Sequence, residues 1–196
     1  MTKIFLNYRI ADSAYAVREI SKQMAERFGR DNIFRDDDSL RLGTLYARRI
    51  RKALEQADLL VAVIGPHWLD ASDTTGNRRL DDREDWVRLE LATAYRRETP
   101  VIPVLLDDTE LPAVDQLPPD IRDLGRSQFW RIRQRTMDSD IDDLIDRMVP
   151  DLGSAASGPA PGGYPTQNIT ASNNSNVVTN NGGEQNITFG GPRGRR

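Results

Sequence analysis

The chain has 196 residues, 30 acidic and 27 basic side chains, and a formal net charge of −3. This length fits one domain of ordinary size with a tail, and the lack of cysteine excludes disulfides and thiolate metal sites. Because there is no broad basic field, a nucleic-acid partner is not expected. The single histidine, His67, argues against a histidine-rich zinc site or a Ser-His-Asp triad, so we expect neither a metal nor a cofactor.

The N-terminal segment and the apolar runs bear on location. Residues 1–7 lack the charged start and long apolar stretch of a signal peptide. No apolar run approaches the roughly 20 residues needed to span a bilayer. We therefore expect a soluble, cytoplasmic protein without a membrane partner.

The composition changes near residue 151. Residues 1–150 hold nearly all the charge and all three tryptophans, and they are expected to form the folded domain. Residues 151–166 are rich in glycine, alanine, serine and proline, which predicts a flexible linker. Residues 167–196 form an Asn/Gly/Thr-rich tail that is expected to be disordered or β-prone.

Short apolar runs alternate with segments of helical spacing along the domain. In chain order, the apolar runs that predict strands are residues 3–8, 33–34, 59–64, 101–106 and 128–132. The segments whose spacing predicts helices are residues 12–28, 44–56, 83–97 and 139–148. This alternation predicts an α/β fold, most simply a flavodoxin-like, five-stranded parallel sheet with helices on both faces.

Local features refine two of these elements. Asp12 or Ser13 is the expected cap of the first helix, and Tyr15 is expected on its apolar face. The third strand, LLVAVI, is a continuous apolar run suited to a central position buried on both faces. Pro103 places the fourth strand near an edge of the sheet or at a bulge.

Ligands of such sheets bind at the carboxyl ends of strands, where the strand order reverses. The first loop there begins with Tyr8 and Arg9, an aromatic and a guanidinium that can stack a base or hold a phosphate. Position alone favours an ordinary surface tyrosine and a solvated arginine. The second loop, residues 35–44, carries three adjacent acids typical of a magnesium or hydroxyl-binding site. Its spacing does not make those ligands converge, so a solvated acidic loop or a protein contact is the simpler interpretation.

The third region lies on a predicted helix. Trp86 and Glu90 are four residues apart and therefore share a face. A carboxylate beside an indole sits in a partly apolar environment, which strengthens its field on a nearby cation. By position alone, a helix-surface glutamate below a core tryptophan is slightly favoured. His67, which follows the third strand, is more typical of a loop hydrogen bond than of catalysis.

Five segments in chain order resemble the TIR (Toll/interleukin-1 receptor) domain family. They are FLNYR at residues 5–9, the second strand and its BB loop at 34–43, the third strand with its continuation at 60–69, DWVRLEL at 85–91, and the fourth strand at 102–104. The resemblance covers residues 1–150 nearly end to end. The receiver-domain alternative shares the fold, but it needs a phospho-accepting aspartate where this chain has residues 64–66, Ile-Gly-Pro.

The resemblance implies cleavage of NAD, as a glycohydrolase or a cyclase. In that family the glutamate of the third helix is catalytic, which falls on Glu90, and the tryptophan one turn earlier shapes the site, which falls on Trp86. The resemblance also places Tyr8 and Arg9 at the NAD site. An acid of the BB loop is expected nearby, either Asp37 or Asp38.

Two residues depart from the family pattern. Asn7 replaces the serine of the first box, and Gly65 replaces the serine of the third. Both put the placement of the nucleotide in doubt, although neither is expected to touch Glu90.

The chemistry fits a single carboxylate. Breaking the nicotinamide–ribose bond develops positive charge on the ribose, and a carboxylate in a low-dielectric cleft stabilises that charge. Nicotinamide is already a good leaving group, so no metal or second acid is needed. Whether water or the adenine ring then captures the ribose stays open.

The tail repeats a polar-Asn-Ile/Val pattern at Asn168, Asn176 and Asn186. Such segments are typical of cross-β stacking and resemble amyloid signalling motifs, which implies a partner protein with a matching motif. A disordered tail is the alternative. We expect a bacterial immune or cell-death effector activated by self-association. The alternatives are a non-enzymatic scaffold that recruits other TIR domains and, less favoured, a virulence factor that imitates host TIR domains.

Overall fold

The computed structural model describes residues 2–35 and 46–154, with side chains except at residues 46, 47, 49 and 149–154. Residues 1–157 cluster as one compact unit. Asp37, Asp38 and the tail from residue 167 onward lie outside the described residues.

A five-stranded sheet of parallel strands forms the centre of the domain. The strands are β1 (Ile4–Tyr8), β2 (Ile33–Arg35), β3 (Leu59–Ile64), β4 (Val101–Leu106) and β5 (Trp130–Ile132). They lie in the order β2-β1-β3-β4-β5, and every neighbouring pair is parallel. The predicted flavodoxin-like fold is therefore confirmed, and the order reverses between β1 and β3.

Four helices cover the two faces of the sheet. They are α1 (Ile10–Phe28), α2 (Tyr46–Gln56), α3 (Trp86–Arg96) and α4 (Met137–Ser154). Two helices pack on each face. Side chains alternate along a strand, so each strand contributes to the core on both faces. Ile4, Leu6 and Tyr8 of β1 join the core under α1 and α4, whereas Phe5 joins the core under α2 and α3. Asn7, next in alternation, therefore faces α3.

The start of α1 differs from the sequence prediction. The helix begins at Ile10 with Arg9 as its N-cap, so neither Asp12 nor Ser13 is the cap. The carboxylate of Asp12 instead accepts hydrogen bonds from the backbone N–H groups of Gly65 and His67. Tyr15, which was expected on the apolar face, is instead 49% exposed, because the buried face of α1 runs through Ala16, Ile20 and Met24.

The fourth strand lies near an edge of the sheet, as Pro103 predicts, whereas the last helix extends further than predicted. Pro103 pairs with Ala62 of β3, but β5 pairs with β4 only from Val104 onward. Proline, which has no N–H to donate, thus occupies a register position that β5 does not reach, one strand from the sheet edge. α4 extends through residue 154, four residues into the predicted linker.

The carboxylate of Asp12 fills the space that a side chain at residue 65 would need. A Cβ added at Gly65 would lie 2.5 Å from Asp12 Oδ2, the atom that accepts from the Gly65 N–H at 2.9 Å. A serine at this position would meet the same carboxylate, which explains why the serine of the third box is absent.

The Gly65→Ala substitution is therefore expected to destabilise the fold by about 2 kcal/mol, because Asp12 must move and lose two charge-assisted hydrogen bonds. Urea unfolding measures the loss. The same substitution in an Asp12→Ala background should cost far less, since the obstructing carboxylate is gone. Equal costs in both backgrounds would contradict this steric explanation.

Candidate active site

Glu90 lies on α3, in the second turn, and only 3% of it is exposed. It is a buried acid, and the interpretation as a helix-surface residue is wrong. The helix places it one turn after Trp86, as the spacing predicts, and Trp86 is 37% exposed. The pair thus consists of a buried carboxylate below an accessible indole.

Asn7 of β1 contacts Glu90 directly. Its Nδ2 donates to Glu90 Oε2 at 2.7 Å and to the backbone carbonyl of Val87 at 3.1 Å. The expectation that the departure at residue 7 does not touch Glu90 is therefore wrong. The reason is geometric, since Asn7 points to the face of β1 on which α3 packs, and its amide is long enough to reach the helix.

α3 begins at Trp86, three residues later than predicted, because Asp85 is its N-cap. The Asp85 carboxylate accepts from the backbone N–H of Arg88 at 3.1 Å. A carboxylate at this position satisfies an unpaired helix donor and faces the positive end of the helix dipole. The cap fixes where the helix starts and thereby where Trp86 and Glu90 lie.

Arg9 is bound to that cap. Its two terminal nitrogens donate to the two Asp85 oxygens at 3.0 and 3.1 Å, and its Nε donates to the Trp68 carbonyl at 3.0 Å. The side chains of Arg9 and Asp85 are 4% and 2% exposed. Arg79, about half exposed, also approaches Asp85 at 3.3 Å. Arg9 thus joins β1 to α3, and the role at NAD predicted for it stays a prediction.

Arg88 secures the opposite side of the same helix turn. Its Nε donates to both carboxylate oxygens of Asp120, at 3.1 and 3.2 Å. Its NH1 donates to the carbonyls of Leu80 and Asp81. Arg88 is buried, so its contacts tie the loop before α3 to the segment Pro119–Arg126.

Two cavities meet at Trp86. A cleft of about 680 Å³ opens at the carboxyl ends of β1 and β3, and its lining includes Tyr8, Arg9, His67, Arg79 and Trp86. A groove of about 370 Å³ runs between α2 and α3, and its lining includes Trp86, Glu90 and Arg51. The indole of Trp86 is therefore a wall of both spaces, and Glu90 lines the second.

Four of the six predicted site residues lie at or next to the first cleft. Tyr8, Arg9 and Trp86 meet at the first cleft, and Glu90 lies behind Trp86. Asp37 and Asp38 lie outside the described residues, so their roles stay predictions. His67 is exposed, and its backbone N–H bonds to Asp12.

Three contributions to the site were missed from the sequence. Asn7 appeared only as a departure from the family pattern, Asp85 only as a letter of its fourth segment, and Arg79 not at all. An aspartate directly before an amphipathic run is a helix-start signal, so the cap at Asp85 was available to sequence reasoning. The side-chain contacts of Asn7 and Arg79 depend on the tertiary packing and were not.

Comparison with known proteins identifies the class. The sequence model of the TIR domain family matches residues 4–148. The chain therefore belongs to the TIR domain family. No curated protein sequence matches the chain.

A solved structure agrees on the fold, and a second one is reported beside it. The TIR domains of the activated Roq1 resistosome, which directly recognises the pathogen effector XopQ, are 15% identical with a TM-score of 0.53, over 78% of this chain and 99% of that one. A metazoan TIR-STING receptor from C. gigas, in complex with 2′,3′-cGAMP, is 19% identical with a TM-score of 0.47, over 71% of this chain and 38% of that one. At 15% identity the likeness to the Roq1 TIR domains concerns the fold alone.

No helix in residues 2–35 and 46–154 combines the length and apolarity needed to cross a membrane. Within the same part of the chain, no group of three or more histidine, aspartate or glutamate side chains is arranged to hold a metal ion.

The Asp85→Asn substitution should destabilise the protein by about 3–5 kcal/mol, because it leaves the buried Arg9 guanidinium without its counter-charge. Chemical denaturation measures the change. Asp123→Asn is the matched control, because its pair with Arg126 is exposed on both sides, and its cost should stay below about 1 kcal/mol. Similar losses in the two variants would show that the buried pair of Arg9 and Asp85 contributes no more to stability than an exposed one.

Proposed function

We propose that this TIR domain cleaves the nicotinamide–ribose bond of NAD, with Glu90 as the catalytic carboxylate. The observation that carries the proposal is the placement of Glu90. A buried acid lines a groove, one helix turn from an accessible indole, beside the strand ends where ligands of this fold bind. Membership of a family that includes NAD-cleaving enzymes supports it.

The chemistry assigned to Glu90 is electrostatic. As the C–N glycosidic bond breaks, its electron pair leaves with nicotinamide and positive charge develops on the ribose. The fixed carboxylate stabilises that charge in surroundings that exclude water. Water then adds to the ribose and releases a proton to give ADP-ribose, or an adenine nitrogen adds to give a cyclic product.

The cleft supplies surfaces for the rest of the dinucleotide. Trp86 offers a partly exposed ring on which a base can stack, and Tyr8 contributes to the wall of the cleft. Arg79 offers a half-exposed positive charge suited to the diphosphate. Arg9 acts mainly by fixing Asp85 in this scheme. Asp37 or Asp38 of the BB loop completes the proposed site. No cofactor is required, because NAD is the substrate.

We further propose that the protein works in the cytoplasm as an immune or cell-death effector that self-association activates. The resistosome in which the Roq1 TIR domains were solved is an assembly, which supports association through the TIR domain. The Asn-rich tail is proposed to bring chains together, with a partner protein that carries a matching motif.

Glu90→Gln should lower the rate of nicotinamide release by at least about 100-fold, because an amide cannot supply the negative charge. Release from purified, concentrated protein incubated with NAD is measured by chromatography. Glu26→Gln, on the exposed face of α1, is the matched control and should release nicotinamide at the wild-type rate.

The outcome separates the two candidate functions. Undiminished release by Glu90→Gln would refute the assignment of Glu90. No release by the wild-type protein, even when assembled, would support the scaffold that only recruits other TIR domains.

Deletion of residues 167–191 should abolish filament formation and lower the specific activity at high protein concentration. The reason is that Asn-rich ladders of matched segments hold cross-β assemblies together. Light scattering and electron microscopy of the full chain and the truncated chain measure assembly. Unchanged assembly would rule out the tail as the associating segment.

A further inference from the structure

The inner strand β1 carries a polar side chain where an apolar one is expected. β1 lies between β2 and β3, and Asn7 is 0% exposed. Phe5, on the same face, packs in the core under α2 and α3. Burying an amide costs free energy unless it is hydrogen-bonded, so the bonds that Asn7 makes decide its role.

Those bonds are directed at one turn of α3. Nδ2 donates to Glu90 Oε2 at 2.7 Å and to the Val87 carbonyl at 3.1 Å. The reverse orientation of the amide would turn its oxygen toward two acceptors, which cannot bond to it, so the assignment of Nδ2 follows from the chemistry. The amide oxygen accepts no hydrogen bond from the described residues. Asn7 is thus held by what its NH₂ group binds.

We propose that Asn7 is a positioning residue for the Glu90 carboxylate. It fixes Oε2, and its bond to Val87 fixes the backbone one turn earlier, so the carboxylate has one orientation relative to the strand ends. An N–H donor favours the charged carboxylate over the neutral acid, and the charged carboxylate is the form that stabilises a cation. The inference rests on the proposed NAD cleavage and adds to it the residue that orients the catalytic group.

Serine, the residue usual in the first box, cannot replace this contact. Its hydroxyl lies one bond from Cβ, whereas the Asn7 Nδ2 lies two bonds away, so a serine at residue 7 falls short of Oε2. In this chain the side chain of Asn7 is therefore what connects β1 to the Glu90 carboxylate. Replacing Asn7 with serine should remove that hydrogen bond.

The test measures kcat and KM for nicotinamide release from NAD by the full-length chain and its variants. Asn7→Ser should lower kcat about tenfold or more and leave KM within about twofold, because a misplaced catalytic group costs rate rather than binding. Asn7→Asp keeps the shape but replaces the donor with a second acid, and it should lower kcat further. Leu105→Val, in the same core, is the control for general loosening and should lower Tm without lowering kcat.

The outcomes separate this inference from the proposed function. Wild-type kcat in Asn7→Ser, together with loss of activity in Glu90→Gln, would overturn the role of Asn7 alone. A fall in kcat that Leu105→Val reproduces at the same Tm would also overturn it. No nicotinamide release by the wild-type chain would overturn both the proposed function and this inference.

Discussion

The site is organised by one buried ion pair, between Arg9 and Asp85. Arg9 directly follows β1 and occupies the N-cap position of α1, while the Asp85 side chain caps α3. Their two parallel hydrogen bonds therefore join the starts of two helices on opposite faces of the sheet. Two charges withdrawn from water are tolerated only when their geometry satisfies both, and here the carboxylate also accepts from the helix backbone. The contact therefore fixes the distance between the carboxyl end of β1 and the first turn of α3.

The remaining features of the site follow from that fixed distance. With α3 starting at Trp86, Glu90 follows one turn later on the same face, where it is buried, while the indole at the helix start stays partly exposed. Asn7, which points to the α3 face of β1, then reaches Glu90 and Val87. Arg88 holds the far side of the same turn to Asp120. Each contact alone is modest, but together they make the first two turns of α3 a rigid platform for a carboxylate.

The sequence predicted what depends on periodicity and order. Alternating apolar runs were enough for the five parallel strands and four helices, and the spacing of Trp86 and Glu90 was enough to place them on one face. The burial of Glu90 was not predictable, because an acid is expected at the surface unless its partner is known, and Asn7 lies 83 residues away. The predicted starts of α1 and α3 were wrong for a related reason. Asp12 has the residue type of a helix cap, but its carboxylate binds the loop after β3, at Gly65 and His67. Asp85 does cap its helix, and it also binds Arg9, which is remote in sequence.

The position of Trp86 between two spaces gives the protein a built-in link between them. The cleft at the strand ends and the groove along α3 have the same ring as a wall. Because the indole can occupy only a few staggered rotamers, a rotation that widens one space narrows the other. A long molecule with one end in each space would thus bring its two ends into communication through a single side chain.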